Sequence, residues 1–122
     1  MPTPEELLTR MVDDVFNEPD ADRRAAVIAE VFSEDVVFTD PAATVTGRAA
    51  LADTVTGLLA QGPGFRFTPS GPFRGIGDLG MRPWRLGPPD GDPVLGGLDV
   101  ARVVDGRIAQ LWTVLDGGGD QA

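Results

Sequence analysis

The sequence predicts an α+β domain in which three helices cover one face of a curved antiparallel sheet that closes part-way into a cone. Three observations carry this expectation. Apolar residues recur at helical spacing through the first half of the chain, alternating and β-branched runs fill the second half, and 122 residues leave room for one core only.

Thr3 is placed to cap the first helix, Pro4 to open its first turn, and Glu6 to close a capping box three residues on. Leu7, Leu8, Met11, Val12, Val15 and Phe16 then form one stripe that ends near Asn17. Asp20 or Asp22 starts a second, shorter helix with Ala25, Ile28, Val31 and Phe32 at three- and four-residue spacing. Residues 36–39 are β-branched and aromatic, and Asp40-Pro41 stops the strand, because proline lacks the N–H a ladder needs. Thr46-Gly47 leads into a third helix carrying Leu51, Val55, Leu58 and Leu59, closed by Gly62 and Pro63.

From there the pattern is β. Phe65 and Phe67 alternate with Arg66 and Thr68, and residues 81–86 form a strand in which Pro83 marks an edge or a bulge. Residues 87–93 are a turn-rich loop. Asp105-Gly106, between apolar runs at 94–104 and 107–115, is a two-residue hairpin turn. Counting back from it pairs Val103 with Ile108, Ala101 with Gln110 and Asp99 with Trp112. All six then share one face, while Leu98, Val100, Arg102, Ala109, Leu111 and Thr113 share the other. The domain is expected to span residues 1–116, with a flexible tail over 117–122.

Composition removes several classes of chemistry. Cysteine, histidine and tyrosine are all absent, which excludes disulfides, thiol nucleophiles, imidazole bases and the usual nitrogen and sulfur metal ligands. Proton transfer falls to carboxylates, and neither cofactor nor metal is expected. A formal charge of −9 opposes binding to nucleic acid, whose backbone is recognised mainly through Lys and Arg. No segment has the roughly 18 consecutive apolar residues of a membrane span. With no secretory signal in the opening residues, the expected location is cytoplasmic.

Several segments resemble the SnoaL-like branch of the nuclear transport factor 2-like superfamily. The run from Phe32 through Ser33-Glu34-Asp35-Val36-Val37-Phe38-Thr39 to Asp40-Pro41 is similar to that family's acidic helix end and first strand. Thr46-Gly47-Arg48-Ala49-Ala50-Leu51 is similar to the entry into its third helix, and residues 97–108 to its penultimate strand and last hairpin. The resemblance, over about residues 3–116, implies a cystatin-like roll with a lidded pocket and a dimer formed through the outer sheet face. For the polyketide cyclase and ketosteroid isomerase relatives it also implies acid–base chemistry on a carbonyl compound. Asp40 and Asp99 match the two catalytic aspartates of the ketosteroid isomerases. The tyrosine that completes that site has no match, since Val12 or a neighbour stands in its place. In the limonene epoxide hydrolase-like relatives an aspartate is expected in the final strand, near Thr113.

The residues themselves leave alternatives open. Asp99, if its face is inward, lies beside an indole on a mostly apolar surface, where burial disfavours the charged form; if outward, it is a solvated charge. Asp40 either faces the pocket mouth or bonds the backbone of a turn. Trp84 and Arg82 share a face, where Trp84 lines a pocket or fills the core and Arg82 binds an anion or is exposed. Phe16, Phe38, Trp112 and Gln110 complete the candidate substrate-binding set. Two functions follow: a cofactor-independent cyclase- or isomerase-type enzyme using Asp40 and Asp99 on a small apolar carbonyl compound, or a ligand-binding or homodimeric interaction protein without catalysis. Leu98, Val100 and Leu111 are the expected apolar residues of the dimer face.

Overall fold

The computed structural model describes residues 1–116; the tail expected over 117–122 lies outside the described residues. Helix α1 (Pro4–Met11) begins with the anticipated capping box, Thr3 accepting from the Glu6 backbone N–H and Glu6 bonding back to Thr3. It runs directly into a π-helical turn (Val12–Phe16), and the wider turn keeps Val12, Val15 and Phe16 all buried. Asp20, not Asp22, caps α2 (Ala21–Val31), and Gly47 caps α3 (Arg48–Gln61) at φ 96°, a conformation that favours glycine.

The strands are β1 (Phe32–Thr39), β2 (Thr44–Thr46), β3 (Arg66–Pro69), β4 (Arg74–Ile76), β5 (Leu79–Gly87), β6 (Leu95–Val104) and β7 (Arg107–Leu115). They form one open, curved sheet in the order β2-β1-β7-β6-β5-β3, with β4 also on β5. The sheet is mixed, not wholly antiparallel: β7, reached only after β2, α3 and β3 to β6, runs parallel beside β1. Phe32, expected at the end of the second helix, opens β1 instead and is fully buried. Pro83 falls between the stretches of β5 that pair with β4 and with β3, so its missing N–H costs no ladder bond.

The core lies between the helices and the concave face, built around Leu7, Met11, Val15, Val31, Phe32, Val36, Leu51 and Leu111. Two arginines tie the layers together. Arg24, buried without a carboxylate partner among the described residues, donates to the Glu18 carbonyl at 2.7 Å and to Thr56 Oγ1 at 2.9 Å, satisfying its charge with oxygens from the preceding loop and from α3. Arg48 grips the Phe32 carbonyl through Nε and a terminal nitrogen, at 3.0 and 2.8 Å. At the sheet edge, the Asn17 side chain both donates to and accepts from the Phe67 backbone, each at 2.8 Å, and so stands in for the strand that β3 lacks.

The hairpin turn is as expected, with Asp105 at φ 52° and Gly106 at φ 77°, the two positive angles of a type I′ turn. Val104 pairs with Arg107 and Val103 with Ile108. A bulge at Ala109 then shifts the register by one, so that Arg102 pairs with Gln110, Ala101 with Leu111, Val100 with Trp112 and Asp99 with Thr113. A one-residue shift exchanges the faces of everything beyond it. Leu111 and Thr113 turn inward; Gln110 and Trp112 turn to the convex face.

Candidate functional site

A cavity of about 410 Å³ opens between the concave face and the helices, within the range of small-molecule pockets. Each wall has a local cause. The π-helical turn brings Val12 and Phe16 to it, alternation along β1 brings Phe38, β3 brings Phe67, and β5 brings Trp84. The aromatic rings meet edge to face: Phe16 and Phe38 with centroids 6.4 Å apart, Phe16 and Phe67 at 5.6 Å, Phe67 and Trp84 at 5.3 Å. The Trp84 indole lies over Gly97, where a Cβ would come within 2.6 Å of the ring.

Asp99 projects from β6 into this wall and is 8 % exposed. Desolvation pushes its carboxyl up from 3.8 to about 7, against the opposing hydrogen bond from Thr113 Oγ1, 2.8 Å from Oδ1. The buried Trp84 indole N–H also favours the charged form, although among the described residues it reaches no acceptor at full hydrogen-bonding geometry. Near neutral pH, Asp99 therefore exists as both acid and carboxylate. Asp40 follows β1 and lines the same cavity, so the pocket and turn readings hold together: its Oδ1 accepts from the backbone of Ala42 at 2.8 Å and of Ala43 at 3.0 Å. The turn fixes the carboxylate, and Oδ2 makes no hydrogen bond among the described residues.

Asp40 follows Thr39, the last paired residue of β1, and Asp99 pairs with Thr113 of the neighbouring β7. Both carboxyl-bearing residues line the one cavity. Among the described residues, no Lys or Arg lines the cavity.

Three candidate binding residues are not in this cavity. Trp112 and Gln110 lie on the convex face, because the Ala109 bulge reverses the alternation assumed from an unbroken hairpin. Arg82 shares the inner face with Trp84 but turns away to Thr9 and Glu5 on α1, and borders only a small neighbouring void. Leu111, expected on the dimer face, is fully buried inside. Thr113, assigned to the face opposite Asp99, is its hydrogen-bond partner. Gln61, Val94 and Leu115 also line the cavity and were missed; the large apolar pair Ile108 and Leu111, at a spacing of three, is the one sequence signal of the bulge.

The family model described as a SnoaL-like domain matches residues 8–111. Among solved structures, one from Agrobacterium tumefaciens str. C58, assigned as an isomerase of the SnoaL-like family, has a TM-score of 0.85 and 31 % identity over 91 % of this chain and 95 % of its own. A Sinorhizobium meliloti protein assigned as a polyketide cyclase has a TM-score of 0.72 and 21 % identity over 93 % of this chain and 94 % of its own. A Kribbella flavida protein assigned as a ketosteroid isomerase has a TM-score of 0.67 and 22 % identity over 89 % of this chain and 74 % of its own; at such identities the last two share the fold. No curated protein matches the chain.

Proposed function

From the premise that the chain belongs to the SnoaL-like family, we propose that it binds a small, uncharged, largely apolar carbonyl compound and moves a proton on it without a cofactor. The observation that carries this reading is Asp99, a carboxyl buried in the wall of an aromatic-lined cavity that Asp40 also borders. A protonated Asp99 donates a hydrogen bond to the ligand oxygen, while Oδ2 of Asp40 takes a proton from the carbon next to the carbonyl. The C–H electron pair becomes the C=C bond as the carbonyl π pair moves onto the oxygen, giving an enolate held by the Asp99 hydrogen bond, and return of the proton from Asp40 to the same or a conjugated carbon restores the carbonyl, the Asp40 carboxylate and the protonated Asp99. Two carboxyl groups, a mostly apolar wall and no cation among the described lining residues disfavour ligands that carry a carboxylate or phosphate.

The reaction can be tested with no knowledge of the natural substrate. An apolar aryl ketone in D₂O should exchange its α-protons faster with the protein than without it. Asp40→Asn should reduce that acceleration by at least about 100-fold, and Asp99→Asn should abolish its decline as pH rises through 7. A ketone that binds with no accelerated exchange would replace the enzyme by the ligand-binding reading.

The convex face supports a second copy of the chain as partner. Leu98 and Val114 pair across it, as do Val100 and Trp112, and Val37 lies alongside, giving an apolar surface on the middle strands. Sedimentation at micromolar concentration is expected to give a dimer, and Trp112→Asp a monomer with its cavity intact. A monomeric wild-type protein would remove this proposal.

A further inference from the structure

Arg82 stands directly opposite Asp99 in the β5–β6 ladder, on the same inner face. Cβ atoms so placed are about 5 Å apart, and an extended arginine reaches well beyond that. Yet none of the ion pairs among the described residues joins them. The guanidinium instead donates to Thr9 Oγ1 at 3.0 Å, approaches Glu5 Oε2 at 3.5 Å, and lies 5.9 Å over the Phe73 ring. Between it and Asp99 is a void of about 10 Å³, bordered otherwise by Leu8, Val12, Pro69 and Trp84.

We propose that Glu5 and Thr9 of α1 are positioning residues for the cavity: they hold the Arg82 guanidinium on the outer side of this void and so leave Asp99 without a counter-ion. The proposal rests on reading Asp99 as the acid that engages the ligand oxygen. An opposite charge within about 4–6 Å lowers a carboxyl pKa by about 1–3 units, which would leave Asp99 ionised and unable to donate. Other elements packed around Asp99 supply no cation. Thr113 from β7, Trp84 from β5, Pro69 from β3, Leu8 from α1 and Val12 from the π-helical turn are neutral, and the charge bordering the larger cavity with it is that of Asp40, of the same sign. Arg82 is thus the group able to switch the site, and α1 determines which way it points.

Carboxyl-carbon NMR of the full chain tests this. Asp99 should titrate near 7 in the wild type, at least about one unit lower in the Glu5→Gln/Thr9→Val double variant as Arg82 is released toward it, and near 7 again when Arg82→Met is added. A double variant that titrates like wild type overturns the proposal, as does a drop that persists without Arg82. If wild-type Asp99 titrates near the ordinary carboxylate value and Arg82→Met raises it, the two groups already pair and the proposal is wrong. An ordinary value that Arg82→Met leaves unchanged overturns the burial of Asp99, and with it the functional reading.

Discussion

At pH 8 the Asp99→Asn protein is expected to be more stable than wild type, and near pH 4 the two are expected to be nearly equal. A carboxyl whose folded value is raised keeps its proton where the unfolded chain has released it. Between 3.8 and about 7 the native state therefore binds more protons, and wild-type stability falls as pH rises, levelling off above 7. At about 1.4 kcal/mol per pH unit, the span from 3.8 to about 7 amounts to on the order of 4 kcal/mol. Asparagine keeps the shape and an acceptor for Thr113 but does not titrate. The rest of the protein's charge is common to both, so the difference between their urea midpoints across pH isolates Asp99. Parallel curves would mean that Asp99 is solvated in the native state and unfit for its proposed role. A stabilising substitution at a candidate catalytic residue would fit the common pattern in which a working site is held at a cost to the fold.

Leu111→Ala should cost about 3 kcal/mol, because a fully buried leucine loses both its transfer free energy and its packing when the methyl groups are removed. Trp112→Ala, one residue along, should leave ketone affinity in the cavity unchanged, whereas Trp84→Ala should weaken it. These outcomes follow from the Ala109 bulge, since an unbroken hairpin would place Trp112 against Asp99 and Leu111 on the convex face. Urea denaturation of the leucine variant and ligand titration of the two tryptophan variants check them. A mild effect at Leu111 together with lost affinity at Trp112 would restore the unbroken register.

Much of the fold was legible because its signals are local. The capping box at Thr3 and Glu6, the apolar stripe of the first helix, the stop at Asp40-Pro41 and the Asp105-Gly106 turn each depend on residues within a few positions of one another. Asp40 and Asp99 were legible as candidates for a different reason: in a chain without His, Cys or Tyr, acids at the end of one apolar strand and within another are the groups left to move protons near neutral pH.

What the sequence by itself determined is therefore an α+β chain with a cavity-forming order of elements and carboxylates as its only acid–base groups. Tertiary structure alone decided which side chains enter the cavity. One extra residue at Ala109 reversed the faces of Trp112, Leu111 and Thr113, and the approach of α1 drew Arg82 away from its cross-strand neighbour. The physical reason is that side-chain direction along a strand has a period of two, so a single bulge inverts it, while the partner of a long charged side chain is set by which element packs nearest rather than by its position in the chain.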